Sequence, residues 1–225
     1  MNTSAMNKRF VLLVGFVIVT ASWGCASGLG AGVVLPEPPE GIAVIDGVPS
    51  VSVIGESGDT TAYRVGGVTV IHKRVASNSV VTGRLFLMGG VAGLTPETAG
   101  IEQLALNVAT RGGTRTTPKT DFNATLDSMG SRVWGFADKD TSGYGFKTVD
   151  EHFDVTWELF IQSVFEPAMP AQDVQLQRMM QLASIKRHLD DPDAHVAYVA
   201  TQNLFEDHPY ALLQQGTAEN VDRFT

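Results

Sequence analysis

The chain has 225 residues, of which 44% are apolar and 18% charged, with a formal net charge of −8 and one cysteine. That apolar share fills the core of one large domain or two small ones. An acidic chain without a Lys/Arg cluster lacks the basic footprint of nucleic-acid binding, and a single cysteine excludes an internal disulfide.

Residues 1–24 have the layout of a secretory signal. Lys8-Arg9 is a short basic region, and Phe10 to Val19 is an apolar run shorter than the roughly 20 residues that span a bilayer. Ala21-Ser22-Trp23-Gly24 then leads to Cys25. A small residue before the only cysteine resembles a bacterial lipoprotein signal, in which that cysteine is acylated after cleavage. Cys25 is therefore the expected lipidation site. Ala26-Ser27 follow, and by the same resemblance the lack of Asp there points to an outer-membrane lipoprotein facing the periplasm. The alternative is an ordinary signal and a secreted or periplasmic protein. Either destination is the bacterial cell envelope.

Residues 25–61 are expected to be a Pro/Gly-rich tether, stiffened at Pro36-Glu37-Pro38-Pro39, with a short strand at Val51–Ile54. The domain proper is expected from residue 62. The β-branched runs Arg64–Lys73 and Ser79–Met88 predict two strands. Thr95-Pro96-Glu97 is a helix start with Thr95 as N-cap, and Gly112-Gly113 is its stop. Thr117-Pro118 opens a second helix, in which Phe122, Leu126 and Met129 form a core stripe and Gly130 a C-terminal cap. Val133–Phe136 and Ser142–Val149 predict a hairpin about Asp138-Lys139-Asp140. Asp150 caps a helix whose apolar face is Phe153, Trp157, Phe160, Ile161 and Val164, broken by Pro167 and Pro170. Helices over 173–189 and 193–205 follow, divided at Asp191-Pro192. The order implies an α+β fold, an antiparallel β-sheet with helices packed on one face.

Gly143-Tyr144-Gly145-Phe146 alternates glycine with aromatic residues, which lets another backbone come close. Two readings follow: an edge strand that adds an extended peptide to the sheet, or a strand that bends within it.

The stretch Gly100-Ile101-Glu102-Gln103-Leu104-Ala105-Leu106-Asn107, followed by Arg111-Gly112-Gly113-Thr114, resembles the active-site helix of the insulinase/pitrilysin-like metallopeptidases. These are the inverted zincins, a family that includes processing-peptidase-like members, and their helix carries His-x-x-Glu-His. Three further segments are similar to family motifs in the same order. They are Leu182-Ala183-Ser184-Ile185 before Asp190-Asp191-Pro192-Asp193, Phe205-Glu206-Asp207-His208-Pro209-Tyr210, and Gly216-Thr217-Ala218-Glu219-Asn220.

The resemblance puts the zinc ligands at Gln103, Asn107 and Ser184 and the general base at Leu106. Two amides and a hydroxyl replace imidazole and carboxylate donors, and leucine takes no proton from water. The family's zinc is expected to be absent, so no cofactor is assigned. Glu102, the one acid inside the motif, is expected to face solvent or a partner. No two of the five histidines have the i, i+4 spacing of a helical metal pair, and His208 is expected to be structural.

The implied protein is a catalytically inactive, membrane-tethered subunit of an insulinase-like zinc protease. It would pair as a hetero-oligomer with an active insulinase-like paralogue and help bind extended peptide substrate or complete the assembly. The alternatives are an active zinc metalloendopeptidase with unusual ligands and a free-standing peptide-binding lipoprotein. Family members usually carry a second half of similar fold, so residues 62–225 are expected to be an incomplete N-terminal domain.

Overall fold

The β-branched runs of the chain come together in one sheet. The computed structural model describes residues 51–224 and the backbone of Gly15–Thr20, so Cys25 and the run Pro36–Pro39 lie outside the described residues. The strands are β1 (Gly15–Thr20), β2 (Val51–Ser57), β3 (Thr60–Val65), β4 (Val68–Arg74), β5 (Val80–Met88), β6 (Arg132–Ala137) and β7 (Thr141–Val149). They lie in the order β2-β3-β4-β1-β5-β7-β6. Every neighbouring pair is antiparallel except β1 and β4.

Three strand expectations change. β2 extends to Ser57 and pairs with β3 from Thr60, so the folded part includes residues placed in the tether. The run Arg64–Lys73 is not one strand, because Gly66 at φ 56 turns the chain back and pairs Val65 with Val68. β1 falls inside the stretch read as a secretory signal, where it separates β4 from β5.

The helices are α1 (Ile101–Arg111), α2 (Lys119–Ser128), α3 (Phe153–Phe165), α4 (Ala171–Asp190), α5 (Pro192–Leu204) and α6 (Ala218–Arg223). α1 starts later than Thr95 suggests. Residues 95–99 close a turn, with Ala99 N–H donating to Thr95 C=O at 3.0 Å, and Gly100 at φ 97 breaks the run before Ile101. A side chain at Gly100 would also strike the backbone of Gln215 and Gly216. Asp191 ends α4 and caps α5, its carboxylate accepting from the N–H groups of Asp193 at 2.9 Å and Ala194 at 3.2 Å. Pro192 then suits the first helical position.

The predicted apolar faces make the core. Val81 and Leu85 of β5, Phe146 of β7 and Phe160 of α3 are buried together, with Phe153, Trp157, Ile161 and Val164 packed on them. Phe146 has ring centroids of Phe153, Trp157 and Phe160 at 6.0, 5.7 and 5.0 Å. Each such pair contributes about 0.5–1.5 kcal/mol beyond area burial. Phe122 and Leu126 of α2 meet Leu159 of α3 in a second cluster. A buried trio of hydroxyls pins the base of the hairpin to α3: Thr156 donates to Ser131 at 3.0 Å, and Ser131 lies 2.8 Å from Thr148.

The edge reading of Gly143-Tyr144-Gly145-Phe146 is overturned. β7 lies between β5 and β6, hydrogen-bonded on both sides. Its glycines admit neighbours already in the fold. A Cβ on Gly143 would strike the Leu85 carbonyl of β5, and one on Gly145 would stand 2.5 Å from the Trp134 ring of β6. Among the described residues the strand that ends the sheet on this side is β6.

Candidate functional site

Two helices carry the site. On α1, Gln103 and Asn107 are one turn apart, and the Gln103 Nε2 amide donates to Asn107 Oδ1 at 3.2 Å. On α4, Gln177, Gln181 and Ser184 recur at helical spacing on one face. These five side chains, with Arg111, Arg187, Gln214 and Gln215, line one cavity of about 370 Å³ that reaches Ala137 at the end of β6. The three positions that the resemblance makes metal ligands are thus neighbours.

Leu106 does not line that cavity. It is 6% exposed and packs under β6, where a Cβ on Gly135 would stand 2.5 Å from its own Cβ. The position that the resemblance makes the general base is filled by a core residue.

Sequence reasoning missed Gln177, Gln181, Gln214 and Gln215. Gln181 ties the site together. Its Nε2 donates to Gly100 C=O at 3.0 Å and Gln215 C=O at 2.8 Å, joining α4 to the start of α1 and to the segment after α5. Its Oε1 is buried with no partner among the described residues. The signal available in the sequence is the polar stripe Asp173, Gln177, Gln181 at i, i+4, i+8, all of it buried. Asp173 receives the Lys119 ammonium of α2.

Glu102 departs from expectation. It is half-buried, accepts a hydrogen bond from the Ser142 hydroxyl and leaves Oε2 buried with no partner among the described residues. Loss of solvation on burial raises its pKa, and the Ser142 bond opposes that rise. One helical position before Gln103, it turns towards β7 and Gly89 rather than to solvent, and it lies outside the cavity.

The segment after α5 closes the far wall. His208 Nδ1 accepts from the Tyr210 N–H at 3.2 Å, and its ring packs edge-on against Tyr210 at 4.5 Å. Tyr210 donates its hydroxyl to Asp140, and Lys139 Nζ donates to the carbonyls of Tyr210 at 2.6 Å and Leu212 at 3.3 Å. Desolvation lowers the pKa of Lys139. Gln214 Nε2 donates to Asp138 at 3.1 Å. The β6–β7 hairpin loop therefore holds the segment that presents Gln214 and Gln215.

Zinc does not fit these donors. Gln103, Asn107 and Ser184 supply no charge and no imidazole, and Gln103 and Asn107 are bonded to each other. Among the described residues no three His, Cys, Asp or Glu side chains converge. A larger cavity of about 760 Å³ contains none of the four motif positions. It runs beside β6 at Arg132, Val133 and Trp134 and shares Arg111 and Gln177 with the smaller one.

Residues 69–217 match the profile of the family described as insulinase (peptidase family M16). Over 112 residues, 50% of this chain and 25% of the other, the sequence is 27% identical to an uncharacterized zinc protease of Mycobacterium leprae. Among solved structures, a peptidase M16 inactive domain from Pseudomonas fluorescens is similar with a TM-score of 0.62 at 16% identity, covering 78% of this chain and 40% of that one. A protease from Helicobacter pylori gives 0.62 at 13%, covering 79% and 41%. A chain of complex III2 from Candida albicans gives 0.56 at 17%, covering 71% and 35%. The chain thus spans 25% of that curated relative and between 35% and 41% of those solved chains.

Proposed function

Since the chain belongs to the insulinase family, peptidase family M16, and carries neutral residues where that family's chemistry would sit, we propose that it is a non-catalytic member that holds extended peptide. One observation carries this reading: Gln103, Asn107 and Ser184 share a cavity at the end of β6, which among the described residues is the edge strand beyond β7, while Leu106 is packed away beneath it. Peptide hydrolysis needs an activated water, and the site offers neither a metal-binding donor set nor a base. Adding a peptide strand to a sheet needs only the main-chain N–H and C=O groups of an edge, and among the described residues no strand pairs with the outer side of β6.

In this reading the chain is the inactive subunit of a hetero-oligomer with an active insulinase-like paralogue, and it contributes peptide binding or closure of the assembly. The fold it shares with an inactive M16 domain and with a chain of complex III2 supports that role. Its place would be the cell envelope, tethered to the outer membrane through Cys25. Among the described residues no helix is long and apolar enough to cross a membrane.

The test is to mix the chain with an intact His-x-x-Glu-His paralogue encoded beside it. Size-exclusion chromatography is then paired with a fluorogenic peptide assay. Co-elution and a rate above that of the paralogue alone are expected. Unchanged elution and rate would overturn the subunit role and leave a free-standing peptide-binding lipoprotein, which the open β6 edge equally permits.

A further inference from the structure

The groove beside β6 has a charge opposite to that of the molecule. Overall, 24 acids outnumber 16 Lys and Arg. Along the two cavities the balance inverts: Arg111, Lys119, Arg132, Lys147 and Arg187 face one carboxylate, Asp127. Lys119 is engaged by Asp173. Among the described residues the other four cations form no ion pair, and Arg187 makes only a long 3.4 Å bond to the Ala183 carbonyl. The smaller cavity contains no acid. Its wall is six amide side chains, one hydroxyl and two guanidinium groups, together with Ala137 and Met180.

We propose that this groove selects extended peptides bearing carboxylates, and that the amide-lined cavity at Gln103, Asn107 and Ser184 seats one of them with Arg111 and Arg187 as its charge partners. The proposal rests on the peptide-binding reading above and names the peptide's chemistry. A guanidinium fork matches a carboxylate bidentately, and neutral amides complete its hydrogen bonds without adding repulsion. The same wall repels a basic peptide, because the cations gathered beside β6 have one free counter-charge between them. The unpaired Gln181 Oε1 accepts an N–H, which a peptide carries beside either source of carboxylate, its C-terminus or an Asp or Glu side chain. Concentrated positive charge in a groove also speeds the encounter with an anionic ligand.

Four short fluorescent β-prone peptides test it by anisotropy with the whole chain: a Glu-containing free acid, the same peptide amidated at its C-terminus, its Gln isostere amidated, and a Lys analogue. The Glu free acid should bind about tenfold or more tighter than the amidated Gln isostere, and added salt should weaken it selectively. Loss on amidation alone assigns the carboxylate to the C-terminus, and retained binding assigns it to the side chain; either outcome supports the proposal. Arg187→Gln and Arg111→Gln change exposed residues, so the fold should persist, checked by circular dichroism. Each should weaken the Glu peptide by a larger factor than the Gln isostere, and equal loss for both peptides would overturn the charge pairing. Equal binding of Glu, Gln and Lys peptides would overturn the charge selectivity and leave the peptide-binding reading standing. No binding of any peptide up to about 1 mM would remove both.

Discussion

Gly135 of β6 and Leu106 of α1 approach so closely that a Cβ on the glycine would stand 2.5 Å from the leucine Cβ and 3.0 Å from its carbonyl carbon. The helix that carries the degenerate motif is thereby held directly beneath the edge strand. Leu106 is a packing residue of that junction, at the position that the resemblance assigns to the family's proton acceptor.

This junction makes Gly135→Ala destabilising by about 1–3 kcal/mol through overpacking and Leu106→Ala by about 2–5 kcal/mol through the cavity it leaves. Because each substitution changes the space available to the other, the double variant should lose less than the two losses combined. Urea unfolding of the four proteins measures this. Strict additivity would mean that the two residues do not touch.

A metal site can be rebuilt only as a whole. Gln103→His, Asn107→His and Ser184→Glu together should confer zinc binding, measured by metal analysis after dialysis, because the three positions line one cavity. Unsubstituted protein should hold no stoichiometric zinc. Adding Leu106→Glu should lower stability, since it places a carboxylate in a junction that is 6% exposed. Retention of about one zinc per chain by the unsubstituted protein would end the non-catalytic reading.

Glu102 sets a pH dependence. Burial raises its pKa in the folded state, so the native protein holds that proton more tightly than the unfolded chain does. The associated stability is fully present below the ordinary carboxylate range and is lost as pH rises through the raised value. Glu102→Gln should therefore be more stable than the parent at neutral pH, with the difference shrinking in acid. Denaturant midpoints across pH give the comparison. Parallel curves for the two proteins would show that the half-buried carboxylate carries no such penalty.

Cys25 decides the location. Cys25→Ser should abolish labelling by a palmitate analogue and move the protein from the membrane fraction to the soluble one, or leave it held by an uncleaved signal. Normal processing with full membrane retention would exclude acylation at this residue.

The elements legible in the sequence are those with a strong local period. The stripe Phe122, Leu126 and the face from Phe153 to Val164 are core because they repeat at helical spacing. What was misjudged depends on neighbours far along the chain. The edge reading of Gly143–Phe146, one of the two the residues allow, lasts until β6 is seen outside it, and Glu102 reads as solvated or partner-facing until Ser142 is beside it. Gly66-Gly67 is a turn pair within the β-branched run Arg64–Lys73, and its left-handed turn divides that run into two strands. The motif positions were legible by resemblance, whereas the glutamines that complete their cavity belong to no motif. The cations of the groove stand at 111, 119, 132, 147 and 187, too dispersed to register as a patch until the fold gathers them.

The placement of β1 gives the stretch read as a secretory signal a second possible identity. Gly15–Thr20 is hydrogen-bonded between β4 and β5, with Val19 opposite both Lys73 and Thr82. One segment cannot be both discarded at export and retained as an inner rung of the sheet. With neighbouring strands about 4.8 Å apart, its excision would leave β4 and β5 nearly 10 Å apart, each with a row of unanswered amides and carbonyls. Maturation would then be a rearrangement of the sheet's interior: the two halves must close on each other or admit a replacement strand. The cut and uncut chains would be two differently wired molecules, distinguishable by which amides of β4 and β5 resist hydrogen exchange.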